Sequence, residues 1–198
     1  TKNEDFKGLK FRTVGISIDV FTGLGAAVNA LPGGEIVPAM DRGLLDAAEF
    51  NNATSDRILG FPDVSKVCML QSYHQNAEQF EIMFNKAKYD ALPAKIRAII
   101  DNAVEAASAD MSWKAMDRYS TDLAALKEAG VRVHRTPDSV LAAQLAAWDK
   151  VIAAQSQEPF FKKVIDSQKA WVKRTGAYFQ TNNLNSQALA AAYKHFFG

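Results

Sequence analysis

Arg12 and Glu49 are the two residues whose types and settings offer chemistry. Arg12 lies in Leu9-Lys-Phe-Arg-Thr-Val14, where apolar and polar residues alternate as in a strand. If Leu9 and Phe11 face the core, Lys10 and Arg12 face the other way, and Arg12 projects into a cleft. A guanidinium can hold a carboxylate through two parallel hydrogen bonds, which an ammonium cannot. Glu49 stands near the end of an apolar run, Leu44 to Phe50. A carboxylate at the carboxyl end of a buried strand in an α/β sheet is where such sheets bind ligands. On the pattern alone, a solvated strand arginine and a strand-end glutamate in water or in a structural ion pair satisfy the same residues.

The elements that must position these two side chains centre on Leu31 to Asn52. Pro32-Gly33-Gly34 reads as a turn. A helix follows from Glu35, with Ile36, Ala39 and Met40 on one face and Gly43 as its stop. Leu44 to Phe50 then reads as a short buried strand. Upstream, Ser17 reads as the N-cap of a helix over Ile18 to Leu24, Gly25 as its stop, and Ala26 to Ala30 as a second strand. Strand, helix, strand, helix, strand within about fifty residues implies an α/β layer with a mainly parallel sheet.

Beyond it, Asn51 to Asp56 are helix-starting residues, and Gly60 to Asp63 reads as a turn. Val64 to Leu70 is β-prone, and Gln71 to Asn76 reads as a polar loop. Gln79 to Asn85 alternates like a strand, with Phe80, Ile82 and Phe84 on one face. Ala94 to Ala129 lacks proline and glycine and reads as one long helix or a bent pair. Its stripe of Ile96, Ile99, Ile100, Val104, Met111 and Met116 implies core or helix–helix packing. A short strand at Val131–Arg135 and helices ending near Ala154, Tyr178 and Phe197 complete the chain. Composition therefore divides it into an α/β part, 1–90, and a helical part, 91–198.

The motifs Lys10-Phe11-Arg12, Pro32 to Gly43 and Asp46 to Phe50 resemble the solute-binding subunit of TRAP (tripartite ATP-independent periplasmic) transporters, in the branch that takes 2-oxo acids, lactate and related monocarboxylates. The resemblance implies a periplasmic-binding-protein-like lobe with a mainly parallel mixed sheet, followed by long C-terminal helices, with the first lobe largely missing. It implies a periplasmic location, delivery of a small carboxylic acid to the membrane permease, and a homodimer through the C-terminal helices. Arg12 matches the arginine that holds the substrate carboxylate. Glu49 matches a position that gives a carboxylate oxygen to a bound cation, Na⁺ or Ca²⁺, with the next residue, Phe50, offering its backbone carbonyl. His74 matches a loop histidine that touches substrate or holds its loop, and Asn51 and Asn52 could add polar contacts. The resemblance further implies that this chain is a fragment or truncated product that binds weakly or not at all by itself.

Composition sets the outer bounds. A net charge of +1 over 198 residues gives no polyanion-binding surface, so nucleic acid is not an expected partner. The polar, charged start does not read as a secretory signal, and no apolar run is long enough to span a bilayer. The single cysteine, Cys68, sits in an apolar run and reads as buried packing. No phosphate-binding glycine loop, nucleophile elbow or clustered histidines are present, so no enzyme is expected. Two other readings remain on sequence alone: an enzyme using Arg12 and Glu49 as anion clamp and base, and a dimerising structural module. The same fold would also suit a C4-dicarboxylate or another organic acid.

Overall fold

The structure, a computed structural model, describes residues 2–75 and 77–198. Asn76, the end of the polar loop read from sequence, lies outside them. Packing divides the chain into two compact units, 1–148 and 149–198. This boundary falls elsewhere than the compositional one at 90/91, because helices on both sides of residue 90 pack together in the first unit.

The first unit is built on three short parallel strands. β1 (Lys10–Arg12) is central, flanked by β2 (Ala27–Asn29) and β3 (Ala47–Ala48). Arg12 pairs with Asn29 on one side and with Ala48 on the other. Helix α1 (Ser17–Gly23) links β1 to β2, and α2 (Gly33–Asp41) carries the chain back across to β3. The alternation read in Leu9–Val14 holds for Phe11, whose ring joins Phe6, Phe21, Ala26 and Val140 in one core cluster. The face of α2 read from sequence also holds: Ile36 and Ala39 are buried with Leu45, and Met40 packs against them.

Several expectations are corrected. Ser17 is the first residue of α1, not its cap, and Ile16 stands at the cap with no side-chain hydrogen bond. The strand expected over Leu44–Phe50 is regular only at Ala47–Ala48. Its backbone still meets β1 at both ends, Asp46 donating to the Lys10 carbonyl and Glu49 to that of Arg12. Gly60–Asp63 is not a simple turn, since Phe61–Val64 forms a short helix, α4, directly after α3 (Ala53–Leu59).

A second parallel pair joins β4 (Val67–Leu70) to β5 (Arg132–Arg135) in full register. Between them, the strand expected over Gln79–Asn85 is absent, and Phe80, Ile82 and Phe84 are exposed. Alternation makes a strand only where a neighbour takes up its N–H and C=O groups, and none of the described strands does so here. After α5 (Lys86–Asp90), α6 (Ala94–Glu128) is one continuous helix of 35 residues. Its apolar stripe is not core in this chain: Ile99, Trp113 and Met116 are more than half exposed. Only its last turns are covered, where α3 packs and Asp122 and Leu126 are buried.

Helix α7 (Asp138–Gln155) follows β5, with Val140, Gln144 and Ala147 buried along one face. In the second unit, α8 (Pro159–Asn182) is capped by the Glu158 carboxylate, which accepts from the Phe160 and Phe161 amides. Helix α9 (Ser186–Phe197) is capped by Asn185 and exposes Leu189, Tyr193, Phe196 and Phe197. No helix among the described residues is long and apolar enough to cross a membrane.

Candidate functional site

Parallel pairing puts the carboxyl ends of β2, β1 and β3 side by side. The chain leaves the central strand first to one side and then to the other, which opens a crevice beyond those ends. Arg12 ends β1 and is 4 % exposed. Its Nε donates to the Leu31 carbonyl, just past β2, at 2.9 Å. Its Nη1 donates to Glu49, just past β3, at 3.0 Å to the carbonyl and 3.1 Å to Oε1. The guanidinium also lies over the Phe50 ring, 5.6 Å from its centroid.

The two side chains read as candidates from sequence therefore meet as a buried ion pair, 5 % and 10 % exposed. Both Nη1 hydrogens are committed to Glu49. Nη2 has no hydrogen-bond partner among the described residues.

His74 joins them from the loop after β4. Gln71 takes a positive φ of 76° and turns the chain there. His74 Nε2 then lies 3.4 Å from Glu49 Oε2, and the ring meets Phe21 edge-on with centroids 5.0 Å apart. Its Nδ1 is hydrogen-bonded to the Ser72 hydroxyl. Phe50, in turn, stacks on Phe61 and packs against Gly33 at the start of α2.

Asn51 does not join this group: its side chain is exposed, with no hydrogen-bond partner among the described residues. Asn52 serves structure. Its Oδ1 accepts from Ser55 N to cap α3, and its Nδ2 donates to the Glu78 carboxylate at 3.0 Å and 3.1 Å. His134 is exposed on β5.

An acidic layer lies beside the pair. Tyr119 donates its hydroxyl to Glu78 at 3.0 Å; burial, then this bond, raise the phenol's pKa. Burial, with Glu78 and Glu49 nearby, pushes the Asp56 carboxyl up to about 6. Asp122 accepts from Thr54 and Arg57 at 2.5 Å and 2.6 Å, and those bonds hold its carboxyl below the ordinary range. Cys68 is half-buried, not fully buried as expected, and burial raises its thiol away from the reactive thiolate.

Sequence reasoning missed Ser72, Gln144 and Gly33. Gln144 had a usable signal, being a polar residue in the apolar face between Val140 and Ala147. Gly33 was read as a turn residue, while its lack of a side chain makes room for Phe50.

A profile of the bacterial extracellular solute-binding proteins, family 7, matches residues 1–162. The chain belongs to that family. Among curated proteins, this family 7 chain is 29% identical over 189 residues to a monocarboxylate 2-oxoacid-binding periplasmic protein of Nostoc sp.. The match covers 95% of this chain and 52% of that protein. Among solved structures it matches a TRAP transporter solute-binding protein of Bordetella bronchiseptica, with a TM-score of 0.91 and 26% identity. That protein is a mixed-occupancy dimer, with copurified calcium and picolinate in one active site and the other apo. It also matches a TRAP periplasmic solute-binding protein of Colwellia psychrerythraea with bound calcium and pyruvate, with a TM-score of 0.86 and 26% identity. The chain is covered to 98% and 99% in these, but spans only 59% and 58% of their lengths. It thus has the expected binding-protein fold and spans little more than half the length of these relatives.

Proposed function

We propose that this chain carries the anion-binding half of a TRAP solute-binding site. It captures a small monocarboxylic acid, a 2-oxo acid or lactate, in the periplasm for delivery to a membrane permease. The observation that carries this reading is the buried Arg12 guanidinium at the switch point, held by Leu31 and Glu49 through Nε and Nη1, which leaves Nη2 without a partner among the described residues. The relatives that bind pyruvate, picolinate and 2-oxo acids support the substrate class.

The substrate carboxylate approaches Nη2 first. A two-bond grip across both terminal nitrogens requires Glu49 Oε1 to leave Nη1, because both Nη1 hydrogens are already committed. An anion entering beside Glu49 then leaves one excess negative charge in a site of low dielectric, where repulsion is stronger than in water. A hard cation, Ca²⁺ or Na⁺, fits the donors present: the Glu49 carboxylate and the Phe50 carbonyl, which accepts no backbone hydrogen bond among the described residues. When bound, it supplies the positive charge that lets Glu49 and the substrate lie close together. Two oxygens fill only part of its six to eight positions. No group of three or more metal-ligating side chains is found among the described residues. His74 faces Glu49 and borders the place of the substrate. Asn51, exposed beyond the end of β3, is free to add a polar contact.

Binding without turnover distinguishes this function from the enzyme reading. The partners are the acid, the permease and a second copy, for which the exposed aromatic face of α9 is the contact. The test is thermal unfolding of this chain with millimolar pyruvate, lactate, succinate or acetate, with and without Ca²⁺ or Na⁺. Ligand that binds only the folded state raises the midpoint. A cation-assisted rise with 2-oxo acids, lost in Arg12→Met, is expected. Rises equal in wild type and Arg12→Met, or turnover of the acid, would overturn the reading.

A further inference from the structure

We propose that Gln144, on α7, is a positioning residue of the binding site. Through Ser72 it fixes which nitrogen of His74 carries a proton, and so what the ring presents to Glu49; its importance for ligand binding rests on the function proposed above.

Gln144 is 2 % exposed and lies on the buried face of α7. Its Oε1 accepts twice from the loop after β4, from the Tyr73 amide and from the Ser72 hydroxyl, both at 2.9 Å. The Tyr73 amide can only donate, so it fixes the side-chain amide with its oxygen toward the loop. The Ser72 hydroxyl has one proton, and that oxygen takes it. Ser72 Oγ is then left as an acceptor. Both groups near it fit that role, the His74 backbone amide at 3.3 Å and His74 Nδ1. Nδ1 therefore carries a proton directed at Ser72, and Nε2, the nitrogen facing Glu49, bonds to that carboxylate only when the ring carries a second proton. Trp148, one turn along α7, donates its indole N–H to the Tyr73 carbonyl at 3.0 Å and pins the same loop.

These contacts settle the ring's orientation where the backbone alone does not. Gln71 holds a strained positive φ at the loop's start, so the loop needs fixing from outside. Without the Gln144 oxygen, Ser72 is free to turn its proton to Nδ1, and the neutral ring then holds its own proton on Nε2, where it donates to Glu49.

The experiment is a long-range ¹H–¹⁵N spectrum of the histidine rings in this 198-residue chain, without ligand. Only three histidines occur, and His134 and His195 are exposed. The His74 ring meets Phe21, so its signals are displaced by the aromatic ring current. In Gln144→Met, which keeps bulk but loses the acceptor, the His74 ring-nitrogen signals move to those of a ring protonated on Nε2 alone. In Gln144→Glu, which keeps an acceptor oxygen, they stay in place. Ser72→Ala, in the loop, reproduces the Met result and serves where Gln144→Met does not fold. Unmoved His74 signals in a folded Gln144→Met or Ser72→Ala protein overturn the proposal. Because no ligand is present, that failure is separate from failure of the carboxylate-binding reading. If the wild-type chain binds pyruvate, affinity falls several-fold in Gln144→Met and returns in Gln144→Glu. Equal affinity in all three removes the link to function.

Discussion

The ring of Phe50 packs so closely on Gly33 that a β-carbon there would come within 2.7 Å of it. Two turns of sequence far from each other, the start of α2 and the end of β3, are thus locked by the absence of one methyl group. The locked ring supports the Arg12 guanidinium on its face and stacks on Phe61.

Gly33→Ala should therefore act through Phe50, since the glycine's own backbone is compatible with alanine. Overpacking of this kind costs about 1–3 kcal/mol. Urea denaturation should show that loss. In the double variant Gly33→Ala with Phe50→Leu, the smaller side chain should recover part of it. A Gly33→Ala protein as stable as wild type would mean that the ring moves aside without cost.

The Arg12–Glu49 pair predicts two separable effects on ligand. Arg12→Lys keeps the charge but loses the planar fork, and should weaken carboxylate binding about tenfold, roughly 1.4 kcal/mol. Glu49→Gln removes the anion that competes with substrate while leaving an oxygen to accept from Nη1. Calorimetry should then find that Ca²⁺ or Na⁺ no longer improves carboxylate affinity. Retained cation dependence in Glu49→Gln would remove Glu49 from the cation's ligands.

Both members of that pair were legible in sequence, because strand alternation and a strand-end carboxylate are local patterns. That they pair with each other was not, since the contact depends on β1 lying between β2 and β3. The same limit explains the errors. Gln79–Asn85 alternates as a strand should, and the stripe on α6 is periodic as a core helix should be. Each pattern states what a segment can bury, while burial needs a partner surface, and the described residues offer none for either. Gln144 was missed for the converse reason: its partners, Ser72 and Tyr73, lie some seventy residues away in sequence.

Thr13 gives a stability prediction next to the site. It is fully buried, and its hydroxyl has no hydrogen-bond partner among the described residues. A buried polar atom left unpaired carries its desolvation cost with no return. Thr13→Val keeps the β-branched shape and removes that cost, so stability should rise by about 1 kcal/mol. For a chain of this size the melting midpoint should rise by about 2–4 °C. A fall on substitution would show that the hydroxyl has a partner in solution.

Asp56 makes stability depend on pH in a direction opposite to that of most carboxylates. Its ordinary value is 3.8, and burial beside Glu78 and Glu49 raises it to about 6 in the folded protein. Between those values the folded state holds the proton and the unfolded state has released it. Stability from this group therefore falls as pH rises through the window and levels off above about 6. Below 3.8 both states are protonated and the penalty is absent. The full span is of order 3 kcal/mol. Asp122 works in the other sense: its carboxyl is held low by Thr54 and Arg57, and its contribution is lost only as pH falls through the folded value, below 3.8. The two windows do not overlap, so Asp56 can be isolated. Urea unfolding across 3.8 to 6 should show wild type losing stability relative to Asp56→Asn as pH rises. Parallel curves for the two proteins would mean that Asp56 is ionised in the fold throughout, and that the acidic layer beside Glu49 holds a full negative charge.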